Sequence, residues 1–254
     1  MRTSGVTGGI LSLSIALSLP LRADDVGVFA AASLTDALKE VAAAYEKSSG
    51  DRLVFNLGAS DMLARLIREG APADLFFPAD EAQMDGLERA GLLLPGTRRS
   101  LLSNTLVIVV PAEGGPTIAS PRDLASVRAL ALAEPRSVPA GVYAKQYLRK
   151  LGLWDAIAPR VIPTESVRAC LAAVEAGNAD AGIVYRTDAL VSRRVRIAFS
   201  VPAADGPDIS YPIAIPKDAP HAAAARRLAA FLASEPARAV FVRYGFLVRE
   251  GRGR

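Results

Sequence analysis

The chain holds one cysteine, Cys170, and one histidine, His221, among 254 residues. A lone cysteine excludes an intramolecular disulfide framework and any multi-cysteine metal cluster. A lone histidine sets aside His-based zinc sites and most triads that need an imidazole base. No P-loop and no dinucleotide-binding glycine pattern occurs. The segment Gly58-Ala59-Ser60-Asp61-Met62 lacks the second glycine of a nucleophile elbow. Aromatics are sparse at 6%, and the formal charge is only +4. A single-strand nucleic-acid surface would interleave aromatics with its cations. None stands beside Arg193, Arg194 and Arg196 or beside Arg226 and Arg227, so these groups, with Arg249, Arg252 and Arg254, are expected to be solvated faces rather than a nucleic-acid interface.

Apolar material is plentiful instead: 51% of residues are hydrophobic, enough for a sizeable core. Arg2 and the apolar run over residues 10–21, closed by Pro20-Leu21-Arg22-Ala23, read as a secretory leader cleaved after Ala23. The run falls short of the roughly 20 residues that span a bilayer. Losing Arg2 and Arg22 lowers the net charge from +4 to +2. An exported protein is expected, with Cys170 unpaired in an oxidising compartment. No cysteine follows the leader, so a lipid anchor is not expected.

Strand and helix patterns then alternate. Residues 25–31 read as a buried strand. Leu34, Ala37, Leu38, Val41, Ala42 and Tyr45 recur at helical steps until Ser49-Gly50. Strands are read at 53–57 and 74–77, with helices reaching Gly70 and over 83–90. Further strands fall at 106–110, 129–133, 161–162, 181–185, 196–199 and 209–215. The remaining helices cover 143–151, 167–176, a short stretch near Asp188, 222–233 and 237–242. The alternation indicates an α/β protein with largely parallel sheets, and the element count fits two small lobes better than one sheet. Cys170 is expected in the core, His221 in a surface loop, and Trp154 packed at a helix end.

What precedes the helices is more informative. Ala30-Ala31-Ala32-Ser33, Leu57-Gly58-Ala59-Ser60, Val138-Pro139-Ala140-Gly141 and Pro163-Thr164-Glu165-Ser166 lead into four of them. Small residues there leave backbone N–H groups open, and a helix N-terminus carries unpaired donors and about half a positive charge. Ser33 and Ser60 can add hydroxyl donors. A compact oxyanion could be held this way. The plainer role for each serine is an N-cap, contributing about 1 kcal/mol and touching no ligand.

At these residues the chain resembles the periplasmic molybdate-binding proteins of molybdate ABC transporters. The matching stretches are VFAAASLTDAL (28–38), ASDMLARLIREGAPADLFFPAD (59–80), VPAGVYAKQYLRKLG (138–152), ESVRACLAAVEAGNADAGIVYRTDA (165–189) and RYGF (243–246). The resemblance implies a two-lobed periplasmic-binding-protein fold of type II, with mostly parallel sheets flanked by helices and a ligand cleft between lobes. On that pattern residues 24–105 plus 207–254 form lobe I and 106–206 form lobe II. It implies capture of molybdate and tungstate by Ser33, Ser60, Ala140, Val167 and Tyr185, through hydroxyls and backbone N–H groups. No catalytic residue, cofactor or direct metal-ion ligand is implied. The partner would be an ABC permease in the inner membrane, and the protein a monomer. Tyr185 ends a buried strand, where open α/β sheets place ligand crevices.

The match has departures. Asp61 stands where the family commonly has a small hydroxyl residue, and is expected to point outward. Asn56 and Gly58 replace frequent serines or alanines. Competing readings are another oxyanion such as sulfate, ferric iron held by tyrosines such as Tyr211 and Tyr244, and a serine hydrolase using Ser60.

Overall fold

A computed structural model describes residues 23–249. The leader, apart from Ala23, lies outside the described residues, as do Arg252 and Arg254. The first segment runs β1 (Asp25–Ala31), a single 3-10 turn (Ala32–Leu34), α1 (Thr35–Ser49), β2 (Arg52–Gly58), α2 (Ser60–Arg68), β3 (Leu75–Phe77), α3 (Glu81–Arg89) and β4 (Arg99–Ser103). The second runs β5 (Leu106–Pro111), β6 (Leu130–Ala133), α4 (Pro139–Lys150), α5 (Trp154–Ile157), β7 (Val161–Thr164), α6 (Val167–Glu175), β8 (Ala181–Tyr185), α7 (Arg186–Leu190) and β9 (Val195–Ser200). The chain then returns through β10 (Tyr211–Ile213), α8 (Ala222–Leu232), α9 (Glu235–Arg243) and β11 (Leu247–Val248).

The first and last segments build two three-stranded sheets, ordered β2-β1-β3 and β10-β4-β11. Reciprocal backbone bonds between Phe76 and Ala214, at 2.9 and 3.0 Å, join them. The middle segment builds one five-stranded sheet, β7-β6-β8-β5-β9. The result is a two-lobed α/β architecture. Parallel pairing holds for β1 with β2 and β3, and for β6 with β7 and β8. The expectation of mostly parallel sheets needs correcting for the others. β5 runs antiparallel to β8 and β9, and β4 to β10 and β11. Continuous apolar runs such as 106–110 report burial on both faces and say nothing of direction.

Each parallel strand delivers its chain into a helix at one end of its sheet. β1 runs fully buried from Val28 to Ala31, and Ala37, Leu38, Val41 and Tyr45 of α1 pack back on the same core. Gly50, with φ of 78°, closes α1 in the left-handed conformation that glycine adopts without a Cβ penalty. Cys170 is fully buried on α6, its Sγ donating to the Ala131 carbonyl at 3.2 Å, and burial raises its thiol pKa. Trp154 begins α5, partly buried against the core, with Lys145 Nζ 5.2 Å from its ring centre.

Arg227 departs from the expected solvated face. It binds Asp51 Oδ1 at 2.9 Å, and Tyr45 Oη donates to the other oxygen at 2.7 Å, so it neutralises a carboxylate with no exposed side-chain surface. Arg194 and Arg196 instead donate to the carbonyls of Glu175 and Pro116 at the surface. No helix among the described residues is long and apolar enough to cross a membrane.

Candidate functional site

Four chain turns from the two lobes converge on one narrow hollow, partly open to solvent. Ser33, Ser60, Ala140, Val167 and Tyr185 all line it. Ser33 sits in the 3-10 turn ahead of α1. Ser60, Ala140 and Val167 lie in the first turns of α2, α4 and α6, and Tyr185 ends β8. All five are buried. Among the described residues, none that lines the hollow carries a charged side chain.

Neither serine is a cap. The residues preceding the 3-10 turn, α2 and α4 are Ala31, Ala59 and Val138, and none makes a side-chain capping bond. Of the four elements that open onto the hollow, α6 alone is capped, by Ser166 accepting from the Ala169 N–H at 3.1 Å. Buried helix ends without caps leave N–H donors that need another partner. Ser60 Oγ accepts from the Ala79 N–H at 3.0 Å, which holds its oxygen and leaves its proton free. Ser33 Oγ lies 3.0 Å from Tyr211 Oη.

Tyr185 Oη is buried without any hydrogen-bond partner. An unpaired buried hydroxyl costs about 1–3 kcal/mol, so it needs a reason. Its ring packs on Tyr211 at 5.8 Å between centres. Burial raises the pKa of Tyr185, Tyr211 and Tyr143, keeping each phenol protonated and able to donate.

Gly58 forms the wall where the family pattern has larger residues. A Cβ there would meet Met62 Cε at 2.5 Å, so the Met62 side chain occupies that space. Asn56 lies on β2 and does not line the hollow. Asp61, partly exposed, also stays out of the lining, as expected of a carboxylate beside an anion site. Its Oδ1 is covered and unpartnered. Asp61 belongs to an acidic neighbourhood around Asp80, the N-cap of α3. Burial chiefly, with charge from Asp61, Glu81 and Asp85, pushes the Asp80 carboxyl up to about 6.

Sequence reasoning did not single out Arg168. Its guanidinium lies 2.6 Å from Asp188 of α7 and 2.7 Å from Asp36 of α1, so it ties the two lobes beside Val167. The contact to Asp188 is close but out of line for a hydrogen bond, which makes the attraction Coulombic. His221 lies elsewhere, ahead of α8. Its Nδ1 is 3.1 Å from Asp74 Oδ2, and it does not line the hollow.

A two-lobed scaffold that converges helix N-termini and neutral hydroxyls on a shared hollow defines a solute-binding protein. The charge-free lining and bare N–H groups suit an anion small enough to be surrounded. The chain belongs to the bacterial extracellular solute-binding protein family, whose model matches residues 26–247. It is 37% identical to the molybdate-binding protein ModA of Escherichia coli, over 95% of this chain and 96% of that protein. It is 41% identical to a putative ABC transporter substrate-binding lipoprotein, YvgL, of Bacillus subtilis, over 86% and 85% of the two chains. Among solved structures, the periplasmic molybdate-binding protein of Azotobacter vinelandii superposes with a TM-score of 0.81 at 25% identity, covering 89% of this chain and all of that one.

Proposed function

We propose that the protein captures molybdate, and equally tungstate, in the hollow between its lobes and delivers it to an ABC permease in the inner membrane. On this reading residues 24–105 with 207–254 act as lobe I and 106–206 as lobe II. The mature protein works as a periplasmic monomer after removal of residues 1–23. It needs no cofactor and binds no nucleic acid. The observation that carries the reading is Tyr185 Oη, a hydroxyl donor left unpaired in a buried hollow ringed by bare helix ends.

Molybdate at neutral pH is a tetrahedral dianion whose four oxygens only accept. Ser33, Ser60 and Tyr185 offer O–H donors, and the turns around Ser33, Ser60, Ala140 and Val167 offer N–H donors. The helix dipoles supply partial positive charge without a buried arginine, whose desolvation would be costly. Preset donors also select. Hydrogen phosphate carries a proton that finds no acceptor, sulfate is too small to reach every donor, and tungstate is nearly the same size as molybdate. Ferric iron would need phenolates, whereas burial favours protonated tyrosines here. A hydrolase would need a base on Ser60, but the hydrogen bonds of Ser60 and His221 lead to Ala79 and Asp74.

A thermal-shift panel with molybdate, tungstate, sulfate, phosphate and ferric citrate tests this. Ligand at about 1,000 times its dissociation constant stabilises a fold by about 4 kcal/mol. Molybdate and tungstate are expected to raise the melting temperature by similar amounts, and the other three to leave it in place. A sulfate shift equal to that of molybdate would remove the size argument.

A further inference from the structure

The hydrogen bonds behind Ser33 run in one direction. Asn104 stands at the crossing from β4 to β5, and the Thr105 N–H donates to its Oδ1 at 2.9 Å. That bond identifies the oxygen end of the amide. Nδ2 then has two hydrogens and meets two acceptors, Thr187 Oγ1 at 2.9 Å and Tyr211 Oη at 3.3 Å. Tyr211 has a single proton of its own. With Asn104 donating to its oxygen, the acceptor in reach of that proton is Ser33 Oγ at 3.0 Å.

The reverse direction, with Ser33 donating to Tyr211, would strand the phenol proton in the interior, since Tyr211 is fully buried. Ser33 Oγ therefore accepts from Tyr211, and its own proton turns toward the hollow it lines. Asn104, Thr187 and Ser33 are each at least nine-tenths buried, so water does not scramble the chain.

We infer that Asn104 and Tyr211 are positioning residues that lock the Ser33 hydroxyl as a donor to the bound anion, and so help the site refuse an oxyanion that carries a proton. This rests on the oxyanion reading of the hollow. A serine free to rotate can turn a lone pair to a protonated oxyanion and accept from it. A serine whose oxygen already accepts from Tyr211 has one of its two lone pairs taken, and its proton is the group directed at the ligand. Asn104 sets the polarity from outside the hollow, at the crossing between the lobes, and touches no ligand itself.

The test is a double-mutant cycle by calorimetric titration at pH 7.5, with molybdate and then phosphate as titrants. Tyr211→Phe is expected to weaken molybdate binding by about 5–20-fold and to narrow the molybdate-to-phosphate ratio. In a Ser33→Ala background the same change is expected to alter molybdate affinity by less than about twofold, because the residue it acts through is gone. Asn104→Ala should show the same dependence on Ser33, and it carries the cycle if Tyr211→Phe melts too low to titrate. Equal losses with and without the Ser33 hydroxyl would overturn the inference, as would unchanged selectivity. A wild-type protein that binds no oxyanion would overturn the reading of the hollow instead, and so tells the two failures apart.

Discussion

Gly141→Ala is expected to destabilise the protein by about 3 kcal/mol or more and to abolish molybdate binding in what still folds. A Cβ at this position would lie 1.9 Å from the Ala133 carbonyl oxygen and 2.6 Å from its carbon, with Glu134 C at 2.9 Å. All three are backbone atoms, so no side chain can rotate away. The contact exists because α4 begins directly against the end of β6, which is what brings the N–H groups around Ala140 to the hollow. Relief would require α4 to lift away from the strand, carrying those donors with it. Urea unfolding and calorimetric titration read the two effects separately. A variant with wild-type stability and affinity would show that this close approach does not set the site.

Arg168→Ala is expected to cost about 3–5 kcal/mol at pH 8, the usual consequence of stripping the partner from a buried charge. Asp188 has no exposed side-chain surface, and burial pushes its carboxyl up to about 6 despite Arg168. A carboxyl whose folded pKa is raised contributes most below its unfolded pKa, near 3.8. That contribution is lost as pH rises through about 6. Below that pH Asp188 is protonated in both proteins, so the penalty should shrink toward pH 5. It should be largest above pH 7, where the variant leaves an unpaired carboxylate beside Asp36. Denaturant titrations across this range check it. A penalty independent of pH would mean that Arg168 acts by packing alone. The substitution also removes the bridge from α6 to Asp36, so molybdate affinity should fall with stability.

Local order was largely legible in the sequence. The apolar stretch 25–31, the helical steps from Leu34 to Tyr45 and the Ser-Gly stop correspond to β1, α1 and the left-handed Gly50. Three features were hidden. The strand β4, Arg-Ser-Leu-Leu-Ser, is short and has no clean alternation, so its pairing with β10 and β11 decides it. The pattern placed the start of α4 at 143, but the helix begins at Pro139. Proline suits the first helical position, and Gly141 is required by contact with Ala133 rather than by a turn.

The third hidden feature is the set of partners that decides what the site serines do. Position at a helix start favoured capping for Ser33 and Ser60. Their partners, Tyr211 and Ala79, lie 178 and 19 residues away and leave no trace in the local pattern. The same holds for Arg227, which read as a surface cation until Asp51 was placed beside it. Family resemblance points to the five candidate ligand residues, four at helix starts and Tyr185 at a strand end, and all five line one hollow. Asn104, Tyr211 and Arg168 act through contacts that only the tertiary fold creates.

Tyr185→Phe, followed by both unfolding and molybdate titration, bears most directly on the account. If the phenol hydroxyl waits for an anion, removing it relieves a buried unpaired donor. The ligand-free protein should then be as stable as the wild type or slightly more so, while molybdate affinity falls by about 10-fold or more. A loss of ligand-free stability with molybdate affinity intact would make Tyr185 a packing residue and contradict a cage of neutral donors.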